Sequence, residues 1–255
     1  MLELIDITKS FPGRFEPTLK SINLEIHKGE FCVIIGSNGS GKSTLMRCIS
    51  GEYKVDHGRI NINGENFTYR NRSKLIATVV QDVNKGTIPE LSLLENMVFS
   101  MGRRSSPKLT MYRKFKEEIS DQIKELNLRL EAFIDTPLAT LSGGQRQMVA
   151  TIMAVNSKPE ILLLDEHTSA LDPRTQSLLM EFTASTIRNN KLTSLMITHK
   201  LDDAIKFGNR LIMLHQGRIV MDVKGQEKTS LTIDQLIALF HKYEDLTLQT
   251  NLGGI

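Results

Sequence analysis

The chain has 255 residues, 40% hydrophobic and 24% charged, and its 32 Lys and Arg against 29 Asp and Glu leave a net charge of +3. This length suits one domain with a smaller appended lobe, and the composition is that of an ordinary soluble globular protein. The small positive excess gives no argument for a nucleic-acid partner. The two cysteines, Cys32 and Cys48, lack CxxC spacing and predict reduced thiols in a cytosolic chain rather than a disulfide framework.

In chain order, MLELIDITKSF carries Glu3 and Asp6 early, with no basic stretch ahead of an apolar run, so no secretory signal is expected. No apolar run approaches the roughly 18 residues of a membrane span. LELIDI, INLEI and RININ alternate apolar and polar residues, the mark of half-buried strands, and Asn63-Gly64 predicts a tight turn after the third. FCVIIG is instead a continuous, β-branched run, as expected of a strand covered on both faces, and KLIATVVQ is similar. Cys32 within FCVII reads as a small buried hydrophobe.

From about Leu91 to Val155 the period becomes helical. Ser92 and Glu95 form a capping box, and Met111, Phe115, Ile119, Ile123 and Leu126 recur at three or four to make one apolar stripe, with KFKEE on a charged, solvated face. This stretch is the candidate lobe. ILLL (161–164) and SLMIT (194–198), separated by a helix from about Arg174 to Arg188, predict parallel strands of an α/β core. LIML and RIVMD flank His215-Gln216-Gly217 as a hairpin, and the end from about Glu244 is expected to fray.

Gly36, Ser37, Asn38, Gly39, Ser40, Gly41, Lys42 and Ser43 fit GxxxxGK[ST] between the strand FCVII and a helix beginning at Thr44, the setting this phosphate-binding loop requires. The glycines let successive N–H groups face phosphate oxygens, and the helix N-terminus adds positive charge. Lys42 is expected at the β- and γ-phosphates and Ser43 on Mg²⁺. Asp165 leaves its strand at the carboxyl end and completes the Mg²⁺ shell, directly or through water. Glu166 beside it orients and deprotonates an attacking water.

Leu141-Ser142-Gly143-Gly144-Gln145 reads as a helix start, with Ser142 and Gln145 as capping box, and an exposed helix start is an anion site. LSGGQ, the phosphate loop and ILLLDE, in that company, resemble the nucleotide-binding subunit of ATP-binding cassette (ABC) transporters from Leu2 to about Phe240. The resemblance implies an α/β P-loop NTPase (RecA-like) core with an N-terminal antiparallel β subdomain and an inserted α-helical subdomain. A single ABC ATPase domain would span 1–240, with core and β subdomain at about 1–90 and 156–240, the helical subdomain at about 91–155, and a tail at 241–255. It implies that Ser142, Gly143, Gly144 and Gln145 serve ATP held by another copy, so that two copies sandwich two nucleotides.

By the same resemblance Gln81 senses Mg²⁺ in catalysis and contacts the membrane partner. Ser169 to Asp172 touch the opposite subunit, with Asp172 at the nucleotide. His199 hydrogen-bonds the γ-phosphate, and Phe11 stacks on adenine; Phe15 is a rival for Phe11, and a plain core role is open. The implied partners are integral-membrane permease subunits, a second copy of the chain on ATP binding, and an extracytoplasmic solute-binding protein, at the cytoplasmic face of the cell membrane. His167 stands where most members have proline. DEHTSALD, KFGNRLIML and GRIVMDV resemble importer ATPases of tryptophan/tyrosine-type uptake systems. Only Thr44 to Thr140 separates the two nucleotide motifs, too little for the coiled-coil arms of repair ATPases. A soluble cassette of the iron–sulfur assembly type is the alternative.

Overall fold

The computed structural model describes residues 1–66, 69–72, 74–80, 82, 86–101, 112–125 and 130–252. It divides into two compact units, Met1–Arg70 with Thr193–Ile255, and Asn71–Leu192.

The first unit holds an antiparallel sheet in the order β2-β1-β4, built from β1 (Leu2–Lys9), β2 (Leu19–Ile26) and β4 (His57–Ile62). Alternation works as predicted: Leu19, Ile22, Leu24 and Ile26 of β2 are buried while Ser21, Asn23 and Glu25 are exposed. After β4 the chain turns on Asn63-Gly64, both at positive φ (54° and 82°), the conformation a type I′ turn demands. The same unit holds β3 (Phe31–Ile35) between two parallel neighbours, β7 (Thr193–Ile197) and β8 (Arg210–His215), with β9 (Arg218–Lys224) antiparallel to β8. All five residues of β3 and of β7 are buried, which is why their sequences are continuous apolar runs rather than alternations. Gln216-Gly217 (φ 45° and 79°) closes the β8–β9 hairpin. Helix α1 (Lys42–Ser50) follows β3, and α2 (Tyr69–Arg72) is a single turn.

At the chain's end, α7 (Leu201–Lys206), α8 (Gln226–Thr229) and α9 (Ile233–Leu252) complete the unit. The buried Lys228 ammonium ties α8 to α7 by donating to the Ile205 and Phe207 carbonyls. The fraying expected from Glu244 is corrected: α9 continues through Leu252, started by a Thr232–Gln235 capping pair. The helical period of IDQLIALF carries on past the polar residues that suggested an end.

In the second unit β5 (Ile76–Val79) pairs in parallel with β6 (Ile161–Asp165), Val79 opposite Leu164. Among the described residues from Leu93 to Asn156 the elements are helical: α3 (Leu93–Met101), α4 (Tyr112–Glu125), two 3₁₀ turns and α5 (Gly143–Asn156). With α6 (Pro173–Asn190) they enclose a core that includes Leu94, Met97, Ile119, Ile123, Val149 and Leu179. Ser92 caps α3 with Glu95 as the sequence predicts, the serine hydroxyl accepting from the Glu95 amide at 3.2 Å. The α4 stripe is confirmed at Phe115, Ile119 and Ile123, which pack on this core; Met111 and Leu126 lie outside the described residues.

One polar cluster holds the β8–β9 hairpin to the strands before it. The Arg210 guanidinium, almost wholly buried, forks onto Asp222 at 2.7 and 2.6 Å and donates to Glu30 at 2.9 Å and to the Glu25 carbonyl at 2.6 Å. Removing it deletes the charged hydrogen bonds of a buried guanidinium to the partly buried Glu30 and the exposed Asp222. Arg210→Ala is therefore expected to lower unfolding free energy by about 2 kcal/mol, read as a fall in the urea midpoint, and Arg210→Lys to recover only part because it lacks the planar fork.

Candidate nucleotide site

Residues 36–43 connect β3 to α1 in the first unit, as the motif predicts. Gly36 has φ 151°, and a Cβ there would lie 2.2 Å from the Leu214 carbonyl oxygen of β8, closer than any side chain tolerates. Gly39 and Gly41 are also left-handed, and Ser40 N–H donates to the Ser37 carbonyl at 3.2 Å to tighten the curl. The Gly217 turn of the hairpin clasps the loop from outside. Its N–H donates to the Ser40 carbonyl at 3.0 Å, its carbonyl accepts from Lys20 N–H at 2.8 Å, and a Cβ on it would sit 2.4 Å from the Thr18 oxygen.

Lys42 is only 5% exposed, and its ammonium donates to the Gly36 and Ser37 carbonyls at 2.8 and 3.0 Å. The charge is thus held over the mouth of the loop. Among the described residues no side chain caps α1, and no acid lies in its first turn. Within the loop, the buried Ser40 hydroxyl has no partner among the described residues. These features fit a phosphate group, and Lys42, Ser43 and Thr44 open α1 directly after the loop.

Strand register brings His199 to the same end. Ile34 of β3 is opposite Ile197 of β7, and Thr198 N–H reaches the Ile34 carbonyl, so Gly36 and His199 each follow that pair by two residues. The His199 side chain is exposed. Phe11 is half-buried, edge-on to Tyr53 at 5.3 Å with the Lys9 ammonium 5.3 Å from its ring centre, whereas Phe15 is fully exposed. Of the two rings, Phe11 is the one whose orientation neighbours restrain.

In the second unit, β6 delivers Asp165 and Glu166 at its carboxyl end, both partly buried. Glu166 is left-handed (φ 49°), a conformation few non-glycine residues adopt, and Ser169 folds back on it, its amide and hydroxyl donating to the Glu166 carbonyl at 3.0 and 2.9 Å. His167 is 2% exposed, and burial pushes its imidazole down to about 4, so it is neutral at pH 7. Asp172 caps α6, accepting from the Arg174 and Thr175 amides at 3.1 Å, with Pro173 opening the helix. Hydrogen bonds from the Thr175 side chain and then its backbone hold the Asp172 carboxyl below the usual range.

Ser142 caps α5 in the predicted box: its hydroxyl accepts from Gln145 N–H at 3.3 Å and the Gln145 side chain accepts from Ser142 N–H at 2.9 Å. Gly143 opens onto empty space, while Gly144 faces Thr175 and Leu171 at a spacing that leaves little room for a side chain. Gln81 lies outside the described residues. Sequence reasoning missed Tyr53 beside Phe11, the Thr183 hydroxyl beside His167, and Gln147, whose buried amide donates to the Val80 carbonyl at 3.1 Å. These are long-range contacts that leave no local pattern. Only the Asp172-Pro173 cap had a readable signal, an N-cap acid followed by proline.

The ABC transporter family profile matches residues 19–169. This chain belongs to that family. It is 38% identical to a tyrosine transport ATP-binding protein of Clostridioides difficile (strain R20291) over 248 residues, 94% of this chain and 98% of the relative. A phosphonates import ATP-binding protein, PhnC 1, of Ruegeria sp. (strain TM1040) is 31% identical over 93% of this chain and 95% of its own length. Among solved structures, the dimeric ATP-binding cassette MJ0796 in a post-hydrolysis state with ADP and Pi superposes with a TM-score of 0.74 at 31% identity, covering 88% of this chain and 98% of that one. The fold is the ABC ATPase fold that the motifs predict, and the protein is an ATP-binding, ATP-hydrolysing member of the family.

Gly36→Ala tests the loop. The added carbon meets backbone oxygen rather than a side chain that could swing away, so ATP affinity is expected to fall at least about tenfold in a fluorescent-nucleotide titration. Ser142→Ala, which removes a cap hydroxyl, should cost about 1 kcal/mol of stability in urea denaturation.

Proposed function

We propose that this ABC ATPase energises an importer by hydrolysing ATP at the interface of two copies of itself, bound to a separate membrane permease. The observation that carries the reading is the likeness to the tyrosine transport ATP-binding protein across nearly the whole of both chains, supported by the import ATPases among the other relatives. These relatives favour transport over the iron–sulfur assembly alternative. The solute we propose is an aromatic amino acid, delivered by an extracytoplasmic solute-binding protein. Among the described residues no helix is long and apolar enough to cross a membrane, which fits peripheral attachment at the cytoplasmic face through the permease. We retain one ABC domain over 1–240, with a helical subdomain at about 91–155 and a tail at 241–255.

In this proposal the Gly36–Ser43 loop and Thr44 bind the triphosphate, Lys42 offsets its charge and Phe11 stacks on the base. Ser43, Gln81 and Asp165 hold Mg²⁺, which supplies Lewis-acid charge at the phosphates. Such an ion takes several of its ligands from phosphate and water, so a dense protein cluster is not required. Glu166 takes the proton of the attacking water, and His199 meets the charge developing on the terminal phosphate. Ser142, Gly143, Gly144 and Gln145 of one copy face the nucleotide of the other, and Asp172 stands at that interface. The MJ0796 cassette, dimeric with ADP and Pi, supports a sandwich of this kind.

Loss of a positioned base costs roughly 10²–10⁴-fold in rate. Glu166→Gln is therefore expected to keep ATP binding, slow turnover by that order and accumulate a dimer in size-exclusion chromatography with ATP; near-normal turnover would rule out the assignment. Ser142→Arg should block dimer closure yet leave nucleotide binding by the monomer intact, and loss of monomer binding contradicts the interface role. Deletion of the gene should abolish uptake of labelled tyrosine or tryptophan, and the permease should copurify with a tagged chain.

A further inference from the structure

Beyond the residues that face nucleotide, the turn after β6 has an unusual anchorage. Two consecutive side chains leave it for one face of α6. The His167 imidazole lies 3.4 Å, Nε2 to Oγ1, from Thr183, and the Thr168 hydroxyl accepts from the Gln176 amide at 3.3 Å. Residues 176 and 183 are seven apart, two helical turns, so both contacts fall on the same stripe of the helix. All four side chains are buried.

The proton arrangement follows from the partners. Thr183 has one hydroxyl proton, and the Leu179 carbonyl 2.7 Å away takes it. The hydroxyl can then only accept from the imidazole, which puts the ring proton on Nε2. One residue earlier, Glu166 sits in the left-handed region, a conformation that persists in a non-glycine residue only when its surroundings enforce it. Ser169 closes the turn by bonding the Glu166 carbonyl, and the buried His167 ring ties the same turn to Thr183 of α6. Proline at position 167 would restrain the turn through its own ring; histidine instead restrains it through helix α6.

We propose that His167 is a positioning residue that holds the Glu166 backbone in its left-handed turn by donating from Nε2 to Thr183 of α6. This rests on the reading of Glu166 as the general base. The consequence is that the aim of the carboxylate depends on where α6 stands, through a contact that a proline at 167 could not make.

Steady-state ATP hydrolysis and fluorescent-nucleotide affinity test it in purified full-length variants. His167→Leu keeps the bulk and deletes the donor, and is expected to lower kcat at least tenfold with KM and nucleotide affinity within twofold of the parent. His167→Gln, whose amide can donate from a similar reach, should recover most of that loss. Thr183→Val, nearly isosteric, should reproduce the kcat defect, Thr183→Ser should relieve it, and the His167→Leu/Thr183→Val pair should be no worse than either alone. Thr183→Val carries the test if His167→Leu does not fold. A kcat within twofold of the parent in a folded Thr183→Val or His167→Leu overturns the proposal, as does His167→Gln no better than His167→Leu. Glu166→Gln measured beside them separates the two readings. Near-normal turnover there removes the general-base assignment; an inactive Glu166→Gln with an undamaged Thr183→Val removes the positioning role alone.

Discussion

The close approach of three backbone segments around residues 36–41 is the constraint on which the nucleotide loop depends. The Leu214 carbonyl occupies the volume a side chain on Gly36 would need, the Thr18 carbonyl does the same to Gly217, and Gly217 returns a hydrogen bond to Ser40. The curl between β3 and α1 is therefore moulded largely by main chain from Thr18, β8 and the hairpin turn, with the Leu19 side chain adding to the crowding at Gly41. A rigid ring of amides is what a phosphate requires, because donors already in place pay no reorganisation when the anion arrives.

Three helix starts in this chain are treated differently, and the contrast carries chemical meaning. Ser142 caps α5 and Asp172 caps α6, each worth about 1 kcal/mol by ordinary capping. Helix α1 has neither a side-chain cap nor an acid in its first turn, and the ammonium of Lys42 is folded onto loop carbonyls nearby. An anion is the natural answer to that pole. Ser142 differs: its hydroxyl already serves its own helix, so in the proposed sandwich what it would offer a second copy's nucleotide is an exposed, pre-oriented helix start rather than an idle side chain. In the turn after β6, Glu166 is left-handed while the next two side chains are buried against α6, and under the proposed mechanism catalytic geometry would be maintained by residues that need never touch substrate.

Much of this was legible in the sequence because the signals are local. Alternation marked β1, β2 and β4, continuous apolar runs marked β3, β6 and β7, and Asn63-Gly64 and Gln216-Gly217 marked two turns; each depends on backbone preferences a few residues wide. The phosphate loop, the Ser142 box and the paired acids are likewise contiguous motifs, and their order along the chain carried the family resemblance. The end of α9 is not legible in the sequence, because polar composition masks a helix that continues to Leu252.

The sequence by itself determined the elements, the loop type and the chemical character of the acids and lysine, since each is written in neighbouring residues under steric and hydrogen-bonding rules of short range. Only tertiary structure decided which partners restrain them: Leu214 against Gly36, Tyr53 against Phe11, Thr183 against His167, Gln147 against Val80. Those pairs are separated by 16 to 178 residues, and no periodicity links them. Their meeting is fixed by strand register and by which helix face is buried, properties that exist only once the chain has packed.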